Sequence, residues 1–411
     1  MDAITEATRT FVDQGLIAGA ATLVWRDGLV HAAGVGLRDL EAGLPVERDT
    51  IFRIASMTKP ITATAALMLY DEGLFALDDP ITRWAPEFAD MRVLRSPDGA
   101  LDDTLAAERP ISMLDLLTHR AGFTYGGFHA GPIGAAYAQA LGMDIDSALS
   151  PDDWIAALAS LPLIDRPGAG FHYGASSELL GLLIARMTGQ SLGELLAERV
   201  FRPLGMADTG FIVPPEKHGR RAKMYGFDAE GRLEHRPVHP PEGPAFLAER
   251  PESMTFESGG AGLWSTVEDY LKFARIFVGD GAVDGVRLLK VGTVRRMMTN
   301  HLTPEQIDGA AMMGLPVFSG QGFGLGVAVV LDPERADVQR GRGGVGTVAW
   351  PGAYGGWWQA DPTDGSVMIF LAQNALDFDK AAMGIGLGVY GAITAFHALA
   401  CGTAPASAAG R

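Results

Sequence analysis

Ser56 and Lys59 stand three residues apart in Ser56-Met57-Thr58-Lys59, where a short apolar lead, Ile51 to Ala55, gives way to a helix-prone run. Three residues is nearly one helical turn, so hydroxyl and amine can share a face within reach of each other. A serine hydroxyl is a weak nucleophile until a base removes its proton. An unprotonated lysine amine can be that base where burial or neighbouring cations lower its pKa. The helix amino terminus adds partial positive charge, which favours an oxyanion beside the serine with the Ser56 backbone N–H as one donor. Taken alone, the tetrapeptide reads more simply as a capping serine followed by a surface lysine.

Other arrangements carry less. Gly174-Ala175-Ser176-Ser177-Glu178 begins like a G-x-S-x-G elbow but ends in Glu, which leaves Ser176 as a turn or cap residue. His235 and His239 have one-turn spacing, yet Pro237 between them breaks the helix that a zinc pair needs. Asp78-Asp79 and Asp102-Asp103 read as solvated loop or capping acids. Cys401 is the one cysteine, which rules out an intramolecular disulfide and a cysteine-based zinc cluster. The expectation is therefore catalysis with neither metal nor cofactor.

The elements that must position Ser56 can be sketched from pattern. Ile4, Ala7, Phe11 and Val12 recur at helical spacing before Gly15. Ala20 to Trp25 and Leu29 to Ala33 flank Arg26-Asp27-Gly28, a tight-hairpin signature. From Ser56 a helix runs to Gly73, with Pro60 tolerable only in its opening turn. Residues 77–167 are helix-prone with little that reads as strand. Strand patterns return at 322–330, 346–360 and 366–371, and a final helix follows. Strands at both chain ends with helices between them imply an antiparallel sheet built from distant segments, an α+β fold with a helical region inserted on one side.

Composition sets outer limits. A length of 411 residues allows one large or two ordinary domains, and 47% apolar with 20% charged residues is ordinary for a compact protein. With 49 acidic against 33 basic side chains the net charge is −16, so nucleic acid would be repelled. The start, Met1-Asp2-Ala3-Ile4-Thr5-Glu6, lacks the basic and apolar runs of a secretion signal, and a cytoplasmic location is expected. Ala381 to Ala400 is apolar and about twenty residues long, the length of a bilayer span. Its Gly and Ala content reads as a buried helix instead, so no membrane association is expected.

The Ser-Lys tetrapeptide is one member of a motif set spread along the chain. It sits in Phe52-Arg53-Ile54-Ala55-Ser56-Met57-Thr58-Lys59-Pro60, and is followed by Leu116-Leu117-Thr118-His119-Arg120-Ala121-Gly122 and Pro167-Gly168-Ala169-Gly170-Phe171-His172-Tyr173. Arg202-Pro203-Leu204-Gly205-Met206 and Gly259-Gly260-Ala261-Gly262-Leu263-Trp264-Ser265-Thr266 come next. In these, over nearly its whole length, the chain resembles the β-lactamase and penicillin-binding superfamily, and within it the family VIII carboxylesterases. The resemblance implies a serine β-lactamase-like fold, with a discontinuous α/β domain over 1–74 and 171–411 and a helical domain over 75–170.

It also implies roles. Tyr173 falls at the tyrosine of the family's Tyr-x-Asn motif, between nucleophile and leaving group, while the Asn position is Ala175. Trp350-Pro351-Gly352 aligns with Lys-Thr-Gly, so the cation and hydroxyl that bind a substrate carboxylate are absent. Gly352 leaves room for close approach of substrate to backbone. Ala353 would give the second oxyanion N–H, and Trp350 is a wall of the acyl or alcohol pocket or else ordinary packing. His119 is assigned a structural role. The expected activity is hydrolysis of short-chain neutral esters through an acyl-enzyme on Ser56, with a small-molecule ester as partner and a homo-oligomer left open. A β-lactamase or D-alanyl-D-alanine peptidase using the same residues, or a scaffold without turnover, are the alternatives.

Overall fold

Helical spacing of Ile4, Ala7, Phe11 and Val12 yields α1 (Ala3–Asp13), capped by Asp2, whose carboxylate accepts the Thr5 N–H. The hairpin of β1 (Gly19–Arg26) and β2 (Leu29–Asp39) follows, turning through Asp27 and Gly28, both at positive φ. A short edge strand, β3 (Leu44–Pro45), pairs with β2. The remaining strands come from the other end of the chain: β4 (Gln321–Phe323), β5 (Ala328–Val330), β6 (Val348–Ala349), β7 (Trp357–Asp361) and β8 (Ser366–Ala372). Together they form one eight-stranded antiparallel sheet in the order β4-β5-β6-β7-β8-β1-β2-β3. β8 lies beside β1, with Ala372 opposite Ala20 and Ser366 opposite Arg26. The computed structural model describes residues 2–129, 131–142, 145–236 and 254–402.

Four more helices flank the sheet: α2 (Thr58–Asp71), α3 (Ser176–Thr188), α4 (Val267–Ala274) and α5 (Gly388–Ala400). The period-two alternation of β8 assigns its side chains to two cores. Val367, Ile369 and Leu371 join the cluster that holds Ile61 and Leu67 of α2, Leu179 of α3 and Phe273 of α4. Met368, Phe370 and Ala372 face Val389, Ile393 and Phe396 of α5, with Ile4 and Phe11 of α1 at the margin. Helices thus cover both faces of the sheet. The larger cluster continues without a break into residues 75–170, through Ile111, Trp154 and Leu163.

Several elements differ from expectation. Residues 322–330 make the β4–β5 hairpin rather than one strand: Gly326, at φ 86°, turns where a Cβ would fall 2.5 Å from the Ala63 Cβ on α2. The 346–360 run divides into β6 and β7 around a loop that carries Trp350 to Gly356. Between 75 and 170, beside the helices Met113–Leu117, Pro132–Leu141 and Pro151–Ala159, strands Arg92–Leu94 and Thr104–Ala106 pair antiparallel. Three residues each and mostly exposed at Thr104–Ala106, they give no alternation to read. The apolar stretch 381–400 is divided between the end of a short helix, Phe378–Ala382, and the 13-residue α5, and no helix among the described residues is long and apolar enough to cross a membrane.

Trp358 of β7 lies fully buried between Tyr270 and Phe277, at ring-centre distances of 5.5 and 5.3 Å, and its indole N–H has no acceptor among the described residues. Trp358→Ala is expected to cost about 3–5 kcal/mol of stability, because both transfer energy and a cavity are lost. Trp358→Phe removes the unsatisfied donor and keeps most of the packing, so its cost should be about 2 kcal/mol or less. Chemical denaturation of the two variants checks the difference.

Candidate active site

The segment before Ser56 is pinned from several sides. Phe52–Arg53 pairs with Trp264–Ser265, the Arg53 N–H donates to Gln373 Oε1 at 2.8 Å, and the Ile54 N–H donates to the Leu263 carbonyl at 3.0 Å. Ala55 is then forced to φ 44°, a left-handed conformation that costs a residue with a Cβ about 1–2 kcal/mol. Full burial of Ala55 holds that strain in place. The resulting kink makes a single 3₁₀ turn, Ala55–Met57, so Ser56 precedes the α-helix and Lys59 lies in its first turn. Side-chain bonds fix the start of α2 to its neighbours: Tyr270 of α4 donates to the Met57 carbonyl at 3.0 Å, and Thr62 of α2 donates at 2.7 Å to the carbonyl of Gly259, in the turn that precedes Trp264.

Lys59 is 1% exposed. Its ammonium nitrogen donates to the Gly260 carbonyl at 2.8 Å and lies 3.2 Å from Ser56 Oγ. It also sits over two aromatic rings, 4.6 Å from the centre of Tyr173 and 5.5 Å from that of Tyr125. The Tyr173 hydroxyl bonds Ser56 Oγ at 2.7 Å and accepts the Trp350 indole N–H at 3.2 Å. Three residues nominated by sequence therefore meet at the Ser56 oxygen, and a fourth, Trp350, joins them through the Tyr173 hydroxyl. Gly352 lies so close to this segment that a Cβ there would fall 2.4 Å from the Ile54 carbonyl oxygen. Ala353 follows it and is exposed. Neither the Ser56 nor the Ala353 backbone N–H has an acceptor among the described residues.

Other nominated residues fall elsewhere. Ser176 is the first residue of α3 rather than its cap, and its hydroxyl is buried without a partner. His235 is an exposed strand residue, and His239 lies outside the described residues. Asp103 pairs with Arg95 at the surface, and Asp79 accepts the Ala76 N–H.

The site contains groups that spacing alone does not reveal. Tyr125 donates to both oxygens of the buried Glu178, at 2.8 and 2.9 Å. Burial first, and then the Glu178 charge, pushes the Tyr125 phenol well above its usual range, so it stays protonated. Phe128 stacks on Tyr173 at 5.9 Å, and the His119 ring lies 5.0 Å from it. His119 is buried among Phe171, Tyr173 and Phe323, and neither ring nitrogen has a partner. Burial, and then the Lys59 charge, holds His119 well below the ordinary histidine range, so its ring is neutral. His119 lies within a quoted motif and Tyr125 just beyond it, but their contacts come from the fold.

Two hollows bear on the reading. A small cavity of about 40 Å³ behind Tyr125 is lined by Tyr137, Trp154, Ala175 and Phe256, so Ala175 adds a methyl where an amide would add polarity. A more open hollow of about 790 Å³ lies at the far end of α2, between Tyr70, Arg83 and Arg296; Asp79 lines it, but none of Ser56, Lys59, Tyr173, Trp350, Gly352 and Ala353 does. Its cations are engaged: Lys290 donates to the Asp71 carbonyl at 2.6 Å and Arg296 to the Tyr70 hydroxyl at 3.1 Å.

The family model described as Beta-lactamase matches residues 4–386. This chain belongs to the Beta-lactamase family. Among members similar to it, Protein Rv1367c of Mycobacterium tuberculosis is 45% identical over 383 residues, covering 93% of this chain and 92% of the relative. Esterase EstB of Burkholderia gladioli is 32% identical over 404 residues, covering 94% and 95%. The solved structure of EstCE1, described as a hydrolase with promiscuous acyltransferase activity, superposes with a TM-score of 0.74 at 27% identity, covering 95% and 97%. The fold is the serine β-lactamase-like one that the motifs imply.

The neutral His119 has a consequence for stability in this family member. Its folded pKa lies well below the reference value of 6.5, so the unfolded chain binds the extra proton first as pH falls. The stability it contributes is full above about pH 6.5 and is lost on acidification. His119→Leu should therefore show a smaller drop in Tm than the wild type between about pH 7.5 and pH 5. Thermal melts across that range check the slope; equal slopes would assign the acid sensitivity to other groups.

Proposed function

We propose that this Beta-lactamase family member is a serine hydrolase of carboxylic esters, akin to the family VIII carboxylesterases, with Ser56 as nucleophile and Tyr173 and Lys59 as its proton-handling pair. The observation that carries the reading is the convergence on one oxygen: Ser56 Oγ lies 2.7 Å from the Tyr173 hydroxyl and 3.2 Å from Lys59 Nζ. Tyr125 is unsuited to the base role because its hydroxyl is committed to Glu178. Lys59 already donates to a carbonyl and faces two π clouds, surroundings that suit a cation. Tyr173, as the phenolate, is then the direct proton acceptor, and Lys59 offsets the negative charge it carries before the proton arrives and again after the proton has left with the alcohol.

In the forward step Ser56 Oγ attacks the ester carbonyl while its proton passes to the Tyr173 oxygen. The free N–H groups of Ser56 and Ala353 are suited to receive the oxyanion. As the carbon–oxygen bond of the alcohol breaks, Tyr173 returns the proton to the departing alkoxide, leaving the acyl group on Ser56. Water repeats the sequence in reverse and frees the acid. A relative named as an esterase over 94% of this chain, and a structural neighbour described as a hydrolase, support this class of reaction.

The three side chains act on one proton path, and mutation should reveal that. Ser56→Ala should abolish ester hydrolysis and fluorophosphonate labelling while leaving the fold intact. Lys59→Ala and Tyr173→Phe should each reduce kcat by about 10²–10⁴, with the double variant little worse than either. Additive losses in steady-state kinetics would mean two independent functions.

Substrate class follows from what the cleft offers. A carboxylate beside the scissile bond needs a cation or several hydroxyl donors to offset its desolvation. Trp350 and Pro351 occupy the third-motif positions, and Ala175 the position of the amide. A neutral ester needs only an apolar groove, an oxyanion site and an activated serine, and its alcohol leaves more readily than an amine. Short-chain p-nitrophenyl esters should be hydrolysed with kcat/KM at least about a hundredfold above that for nitrocefin, roughly 2.7 kcal/mol in transition-state stabilisation. Comparable efficiency on the cephalosporin in side-by-side assays would favour the β-lactamase alternative.

A further inference from the structure

Arg340 closes a 3₁₀ turn, Val338–Arg340, whose cap is Asp337. The centre of its guanidinium lies 5.0 Å from the centre of the Trp350 ring. Its Nε is buried without an acceptor, and among the described residues no hydrogen bond or ion pair holds the guanidinium. Elsewhere arginines answer carboxylates: Arg220 meets Asp208 and Arg275 meets Asp284, each at 2.7 Å. A half-buried cation with no carboxylate bonded to it is costly, and an aromatic face offsets only part of that cost. What lies across Trp350 is the reacting pair. The indole N–H donates to the Tyr173 oxygen at 3.2 Å, and the two ring centres are 5.1 Å apart.

We propose that Arg340 is a positioning residue of the hydrolytic site: stacked on Trp350, its fixed charge favours the phenolate form of Tyr173, the form that takes the Ser56 proton. A guanidinium cannot deprotonate at working pH, so the charge is permanent. In a site this dry it acts across several ångströms with little screening. The indole between them helps, since its N–H bonds a phenolate more strongly than a phenol.

The proton balance is closed. Ser56 O–H loses its proton to the Tyr173 oxygen as the Oγ–carbon bond forms, and the same proton leaves with the alcohol as the ester bond breaks. Arg340 transfers nothing. Charged and titratable groups facing Tyr173 are Ser56 and Lys59 from the α2 region, neutral His119, and Tyr125 with Glu178 behind it. Of these, Glu178 opposes the phenolate, while Lys59 and Arg340 favour it. Asp337 and Tyr390 are the other titratable groups that act on Arg340, and burial, the largest influence, lowers its pKa.

The inference rests on the hydrolase reading for the part played by Tyr173, so the test separates the two. Arg340→Met keeps a flat apolar contact with Trp350 without charge, Arg340→Gln is a second neutral variant should the first not fold, and Arg340→Lys restores charge alone. For each, kcat/KM and the rate of fluorophosphonate labelling of Ser56 are measured against pH. Tyrosinate absorbance is titrated as the difference between each protein and its Tyr173→Phe counterpart. The neutral variants should shift the rising limb of both profiles by about one pH unit to the alkaline side, a roughly tenfold loss near neutrality recovered at high pH with KM little changed. The Tyr173 titration should move with it, and Arg340→Lys should restore most of the shift. A uniform loss with an unmoved limb, or a change in KM alone, overturns the proposal. If the wild type neither labels nor hydrolyses esters, the hydrolase reading fails, yet an unchanged Tyr173 titration in the neutral variants would still overturn the role of Arg340.

Discussion

The site depends on enclosing one positive charge. Lys59 is buried with no carboxylate bonded to it among the described residues, and its neighbours compensate by dipole and π face: the Gly260 carbonyl, the Tyr125 and Tyr173 rings, and the Ser56 oxygen. Such a charge is tolerable only where polar groups are already oriented toward it. Much of the surrounding chain supplies that orientation. The strand Trp264–Ser265 binds the lead into Ser56, and bonds to Met57 and Gly259 fix the pitch of α2. Glu178 sits against the same backbone, where a Cβ on Gly260 would fall 2.1 Å from its Oε1. The carboxylate is near the lysine but is satisfied by Tyr125, so the ammonium remains available to the serine and tyrosine.

The same electrostatics explain why the two nearby tyrosines differ. Tyr125 points at a carboxylate and is locked as a donor; Tyr173 points at a hydroxyl and an indole N–H with a cation over its ring. His119, beside Tyr173, is kept uncharged by burial and by that same cation. It therefore fills space against the ring without adding a second positive charge.

How much of this was legible in the sequence depends on whether it was local. Ser56 and Lys59 are three residues apart, and helical geometry alone brings them together. The Asp27-Gly28 turn and the helical repeat of α1 are likewise local, and both are as patterned. Tyr173 and Trp350 lie 117 and 294 positions beyond Ser56, and only motif resemblance connects them to it. Tyr125, Glu178 and Arg340 carry no signal, because their roles arise from contacts between segments far apart in the chain. The hairpin at 321–330 was hidden for another reason: its apolar run continues through glycines, and only contact with α2 forces the turn. Ser176 shows the converse, a local cap pattern overridden when α3 began one residue early and buried the hydroxyl.

The pairing of β1 with β8 has a consequence for synthesis on the ribosome. Residues 20–26 emerge early, but their sheet partners are 366–372, so the central strand pair cannot form until nearly the entire chain has left the exit tunnel. Until then β1 offers an open edge on one side, and the apolar residues Leu23 and Val24 have neither of their final cores. Long-range closure of this kind is slow and exposes such edges to other chains. Ser56 and Lys59 can adopt their helical spacing well before this, yet Trp350 joins them only from the late-emerging side of the sheet. A nascent chain therefore carries Ser56 and Lys59 long before it carries Trp350 and the strands that enclose them in the folded protein.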